Sequence, residues 1–250
     1  MSYSFNEDYA SYGVYDFITL GFPYIRRYFT ESVRPIYVLT PLNKERNGTG
    51  FLLENRKFVT ARHCIKDMKM VQIPRWNPNS VPLLNIWIHK DERVDLAVLE
   101  FDGDPFPNVP GFRLQEAQVL DDILTMGYPP IKTFDSVLVA ETAHIAGYLQ
   151  TTTGKIVGHE QSYLDRQTYL LITARVKGGN SGGPIINREG MVCGIVAQLP
   201  AGAKGADTLG YAVVIPMTTL KQILEECSNS SEHVQSLFFT LTENGFKTTR

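Results

Sequence analysis

The sequence predicts an all-β protein built as barrels or a sandwich. Short apolar and β-branched runs recur along the chain, separated by Gly- and Pro-rich turns. They do not alternate with the longer amphipathic segments that a βα architecture needs. A length of 250 residues suits one large all-β unit or two small domains, and a hydrophobic share of 43% is enough to bury a core.

Residues 1–30 precede the first strand and are rich in Tyr, Phe and Ile. The stretch 15–20 begins a short helix capped by Asp16 or packs as an arm, and reads first as an ordered extension covering apolar surface. The run 35–39 alternates and breaks at Pro41, which marks the first strand. Loop signals at 43–47 are followed by strands near 50–53 and 58–60. Trp76, Asn77, Pro78 and Asn79 make 74–82 a loop, with a short strand at 85–89 after it. The three prolines of 102–110 mark a link between two halves. In the second half, strands are expected near 123–126, 136–145 and 169–173, with 151–161 as a polar insert. The tail carries the apolar run Leu237, Phe238 and Phe239, which adds a strand, binds a partner or packs on the body.

A formal charge of -2 and a pI near 6.2 argue against nucleic acid as the main partner, because phosphate binding wants a basic surface. No run of eighteen apolar residues predicts a membrane span. Residues 1–15 lack the basic stretch and apolar core of a secretory signal. The three cysteines, Cys64, Cys193 and Cys227, are odd in number and irregularly spaced, so a reducing compartment is expected and the chain reads as cytoplasmic. No Cys/His pair has ligand spacing, so no metal is expected. Cys64 reads as a buried free thiol. It is set aside as a nucleophile because neighbours on a strand point to opposite faces.

Chemistry concentrates in the stretch 177–184, Lys-Gly-Gly-Asn-Ser-Gly-Gly-Pro. Taken alone it is a turn, since Gly, Asn, Ser and Pro form turns anywhere. Two other pieces change its meaning. His63 follows the apolar run 58–60, where a strand would end, and Asp95 heads the apolar run 96–99. A serine hydroxyl becomes a good nucleophile when an imidazole takes its proton, and the imidazole needs an acid to fix its tautomer. Backbone N–H groups of Gly179 and Ser181 would then form an oxyanion hole, with Gly182 and Gly183 letting a peptide come close.

In the order His63, Asp95, Ser181 the sequence resembles the chymotrypsin-like (trypsin-like) serine peptidases, most nearly the HtrA/Deg branch. The resemblance covers about residues 47–224. It is carried also by Gly48-Thr49-Gly50-Phe51, by 121–129 ending in Gly-Tyr-Pro, by 192–196, and by 210–216 with the helix that follows. It implies two six-stranded β-barrels with the active site in the cleft between them and a short C-terminal helix. The expected division is an extension 1–30, a peptidase domain 31–227 (barrel one about 31–115, barrel two about 116–227) and a tail 228–250. His63 and Asp95 would come from the first barrel and Ser181 from the second. Secreted relatives usually pair a cysteine after the histidine with one upstream, and no upstream cysteine exists here.

The resemblance further implies that the residue six before the nucleophile, Arg175, lies at a pocket floor. There it either binds an acidic side chain or points away, leaving Val176 or Lys177 to shape the pocket. Ile195, Val196 and Ala197 form the opposite wall and equally suit an aliphatic side chain. Asn180 replaces the aspartate that digestive relatives pair with a new N-terminal ammonium, so no activation by N-terminal insertion is expected. The 26 residues after position 224 are too short for the PDZ domain usual in the branch, and its functions are not carried over. Asp91 loses to Asp95 as the triad acid, Asp67 reads as a solvated charge on the short helical turn that the resemblance implies after His63, and His89, His144, His159 and His233 match no motif. The expected function is a serine endopeptidase cleaving protein or peptide substrates without a cofactor, restrained or activated by a partner or by loop ordering. The alternatives are a latent or scaffolding module and a self-processing peptidase or esterase.

Overall fold

Gly13, in the left-handed region at φ 86°, turns the chain into α1 (Val14–Tyr28), whose Phe17 and Ile25 point inward. In this computed structural model the described residues are 12–42, 44–89, 91, 94–129, 149–161, 167–197, 211–229, 235–242 and 245–248. Asp16 lies in the first turn of α1 but does not cap it; Gly13 does, without a side-chain bond. The extension forms part of the core. Phe29 stacks on Phe112 with ring centroids 4.0 Å apart, and Phe17 meets Tyr12, Tyr28 and Phe29. Tyr12 Oη donates to the Gly190 carbonyl (2.9 Å) and accepts from the Arg113 N–H (3.1 Å), tying the extension to the second half of the chain.

β1 (Val33–Leu39) pairs antiparallel with β2 (Glu45–Leu52), and β2 with β3 (Phe58–Thr60). A single helical turn, α2 (Arg62–Ile65), follows, then β4 (Met70–Gln72), β5 (Leu83–Ile88) and β6 (Ala97–Phe101). The second half contributes β7 (Asp122–Gly127), β8 (Gln150–Gln161), β9 (Thr168–Ile172), β10 (Pro184–Ile186), β11 (Val192–Val196) and β12 (Ala212–Pro216). α3 (Met217–Asn229), β13 (Gln235–Thr242) and β14 (Gly245–Thr248) complete the described elements. The fold is all-β of the chymotrypsin type, with a C-terminal helix.

Strands β7 to β12 close into the six-stranded barrel that was expected, in the order β10-β11-β12-β9-β8-β7. The first half departs from expectation. It is an eight-stranded sheet in the order β14-β13-β5-β6-β3-β2-β1-β4, in place of a closed six-stranded barrel. The tail hairpin enters it, β13 pairing with the edge of β5 and β14 lying beside β4. An uncovered β5 would present a row of unpaired N–H and C=O groups, which the hairpin satisfies. The segment 151–161 is also no insert; it lies within the twelve-residue strand β8. Its polar character reflects exposure, with Ile156 its one fully buried side chain. The strand expected at 136–145, His144 and His233 lie outside the described residues.

Candidate active site

Two antiparallel strands place the first two functional residues. β3 and β6 pair with Thr60 opposite Ala97, so the chain leaving β3 and the chain entering β6 meet at one end of the sheet. His63 sits there on α2 and Asp95 on the turn before β6. The His63 Nδ1–H donates to Asp95 Oδ2 at 2.6 Å, and the His63 backbone N–H donates to Asp95 Oδ1 at 2.8 Å. Both carboxylate oxygens are therefore committed to one residue, which fixes the ring's tautomer and direction and leaves Nε2 outward. Burial lowers the basicity of His63, but the hydrogen bond to Asp95 and the contact with Cys64 outweigh it and hold its pKa well above 6.5.

Nε2 lies 3.7 Å from Cys64 Sγ, which also donates to the Ser181 carbonyl at 3.5 Å. The expected free, buried thiol is present. The opposite-faces argument fails, because residues 62–65 form a helical turn in place of a strand, and on that turn the thiol comes round to the imidazole edge. No signal in the sequence distinguished the two.

Ser181 lies on the loop between β9 and β10. Among the described residues its hydroxyl has no hydrogen-bond partner, so it is not bonded to His63 in this conformation. The N–H groups of Gly179 and Ser181 are likewise uncommitted, while their neighbours are not. Asn180 N–H donates to Lys177 O (3.0 Å), Gly182 N–H to Val196 O (2.6 Å) and Gly183 N–H to Asn180 O (2.8 Å). Gly179 is half-buried at φ 91°, a conformation that a side chain would strain. Gly182 has a different role from the one expected. At φ 84°, a Cβ there would run into the Thr49 carbonyl and the Thr60 hydroxyl, so this glycine lets the loop press onto the first sheet. Gly183 is packed in the same way, against the Met126 and Asn180 carbonyls.

The six residues expected to form a pocket fall into two groups. Arg175 and Lys177 are exposed and, with Gln150, Thr152 and Asn180, line a small open cleft of about 140 Å³ on the β8 side of the loop. Ile195 and Val196 are buried in β11, Ala197 follows them half-buried, and none of the three lines that cleft. Val176 packs on the core of the second barrel. Asn180 is 6% exposed, with Oδ1 unpartnered against Gly127. His89 is buried and accepts the Asp91 N–H through Nδ1, and His159 is exposed on β8; neither approaches Ser181's loop through a described bond. No cluster able to hold a metal occurs among the described residues.

A family model described as the trypsin-like peptidase domain matches residues 48–195, more than half of the chain. The chain belongs to that family. This trypsin-like domain is 26% identical over 212 residues to a probable periplasmic serine endoprotease DegP-like of Ectopseudomonas mendocina, covering 82% of the chain and 40% of the relative. It is 25% identical over 192 residues to the protein of the same name from Chlamydia pneumoniae, covering 74% of the chain and 35% of the relative. The chain thus spans well under half the length of these relatives. Its fold is similar to the active form of the Rv3671c protease from M. tuberculosis, with a TM-score of 0.59, 21% identity, and 83% and 85% of the two chains covered. It is also similar to the serine endoprotease from Yersinia pestis, with a TM-score of 0.55, 20% identity, and 80% and 64% covered.

The cytoplasmic expectation is overturned, because the curated relatives are named as periplasmic. The lack of a secretory signal pattern in residues 1–15 carried that expectation and the unpaired cysteines agreed with it, but the structure explains why the cysteines are a poor guide. Cys64 and Cys193 are shielded in separate places, 3% and 1% exposed, so each stays free without help from a reducing solvent.

Proposed function

We propose that this trypsin-like domain is a serine endopeptidase working through an acyl-enzyme. The Ser181 Oγ attacks the peptide carbonyl carbon while its proton passes to His63 Nε2. The same proton then goes to the departing amine as the C–N bond breaks. Water repeats the sequence in reverse roles and releases the acid. Asp95 keeps Nδ1–H in place and offsets the charge that His63 acquires, and the open N–H groups of Gly179 and Ser181 receive the oxyanion. The observation that carries this reading is the double engagement of Asp95 by His63 (2.6 and 2.8 Å) beside a loop whose two donors are uncommitted. Protein or peptide substrates follow from the family, and no cofactor enters the reading. The test is turnover of a denatured protein substrate by the intact chain beside Ser181→Ala. Turnover abolished in the variant is expected; equal turnover would remove Ser181 from the mechanism.

The resting geometry favours a restrained version of this enzyme. Ser181 is not bonded to His63, and the raised pKa of His63 favours the protonated ring, which cannot accept the serine proton. Substrate, a partner or loop ordering would bring the two together, as apo sites often tighten on binding. A neutral Asn180 has no need of a new N-terminal ammonium, so activity without N-terminal trimming is expected. Strict dependence on trimming, measured by comparing intact and trimmed chains, would contradict it.

A further inference from the structure

We infer that Thr49 is a positioning residue that sets the oxyanion hole from the opposite half of the fold, an inference that rests on the proposed peptidase reading. Thr49 lies on β2 and is completely buried. All of its polar groups are committed, and two of them hold the nucleophile loop. Its hydroxyl donates to the Gly179 carbonyl at 2.6 Å, and its backbone N–H donates to the Ser181 carbonyl at 2.8 Å. The loop is therefore gripped on both sides of the Asn180–Ser181 segment by a single residue of the first sheet. The same hydroxyl accepts the Tyr128 N–H at 2.9 Å, at the turn that ends β7, and the Thr49 carbonyl accepts the Thr60 hydroxyl at 2.8 Å, one turn before His63. One residue thus joins three parts of the site: its hydroxyl ties the loop bearing Ser181 to the turn after β7, and its backbone carbonyl holds the strand leading to His63.

The backbone bond to Ser181 would survive any substitution, so the side chain's specific contribution is the bond to Gly179. Gly179 has no side chain to restrict its rotation, and its carbonyl orientation and its N–H direction are linked through its two backbone torsions, φ being 91° here. Holding the carbonyl on the Thr49 hydroxyl restricts where the Gly179 N–H points. That N–H is needed chiefly when negative charge develops on the substrate oxygen, so the hydroxyl acts on the transition state more than on substrate binding.

Thr49→Val keeps the shape and removes the hydroxyl, leaving the Gly179 carbonyl and the Tyr128 N–H unpaired. Thr49→Ser keeps the hydroxyl. The experiment measures kcat and KM on a peptide substrate, the rate of labelling by a fluorophosphonate, and Tm for the wild type and both variants. All rates are taken at a temperature where circular dichroism shows each protein folded. The expected result is a fall in kcat and in labelling rate of roughly ten- to a hundredfold in Thr49→Val with KM nearly unchanged. Thr49→Ser should recover most of it. Folded Thr49→Val with wild-type kcat would overturn the inference and leave the peptidase reading intact. So would a loss expressed as raised KM, or a loss that serine fails to rescue. Absence of labelling in the wild type would remove both.

Discussion

The pKa of His63 is raised above its ordinary value, so the proton the ring must lose before it can act as a base is held more tightly, and the cause is local. Its Nδ1–H bond to Asp95 and its contact with Cys64 hold the charged ring against the opposing effect of burial. Activity requires the neutral ring, so the rising limb of kcat/KM against pH should lie above 6.5, the ordinary histidine value. Asp95→Asn should move that limb to lower pH and reduce kcat on the order of 10³- to 10⁴-fold, because the asparagine no longer enforces the tautomer. A limb at or below 6.5 in the wild type would contradict the assignment. The same raised pKa works on stability with a definite sign. The protonated His63 stabilises the fold fully below its unfolded value, and this contribution is lost as pH rises through the folded value. His63, Asp95 and Ser181 were legible in the sequence as candidates, the first two because each adjoins an apolar run and Ser181 because it lies in a Gly-rich stretch with a pattern of its own. Thr49 and Cys64 were not legible as participants. Their roles arise from contacts with residues far along the chain, and from a helical turn at 62–65 that a run of four residues does not announce.

At the scale of elements, the site is made by the ends of β3 and β6 on one side and by the loop between β9 and β10 on the other. Gly182 is where the two press together. Gly182→Ala is expected to lower the unfolding free energy by at least about 2 kcal/mol, combining strain at φ 84° with a collision between the new methyl group and the Thr49 carbonyl. Denaturant unfolding measures this, and an unchanged midpoint would show that the loop yields without cost. Most strands were legible from apolar runs bounded by Gly and Pro, as at β1, β3, β7 and β9, while β11 and β12 were legible from the family resemblance. β8 was not, because a strand with few buried side chains lacks the apolar signal that marks the others. The tail strand β13 was foreseen as one of three outcomes, but its pairing with β5 is a long-range choice that local sequence does not encode.

For the whole molecule, residues 12–29 of the N-terminal extension are part of the body. Tyr12, Phe17, Ile25 and Phe29 share one core with Phe51 and Phe112 of the first half and with Leu124, Met126 and Met191 of the second. Phe17 is 1% exposed and lies against Gly190, where a side chain would displace it. Phe17→Ala should therefore cost about 3–5 kcal/mol of stability, the range for emptying a buried aromatic site. Cooperative unfolding followed by circular dichroism would show it as a lower midpoint, and a change under 1 kcal/mol would mean that the extension packs loosely. The all-β class and the closed second barrel followed from the turn-separated runs and the family resemblance. The eight-stranded first sheet did not, since it depends on where a distant hairpin docks.

The central claim is that Ser181 is a nucleophile with an oxyanion hole beside it. A fluorophosphonate probe requires both, because the serine oxygen displaces fluoride at phosphorus through a five-coordinate centre whose phosphoryl oxygen gains negative charge, leaving a tetrahedral phosphonyl-serine. The account predicts a covalent adduct on Ser181 in the wild-type chain, located by peptide mass analysis, faster at alkaline than at neutral pH and absent in Ser181→Ala. An adduct at another residue, or the same labelling in Ser181→Ala, would contradict it.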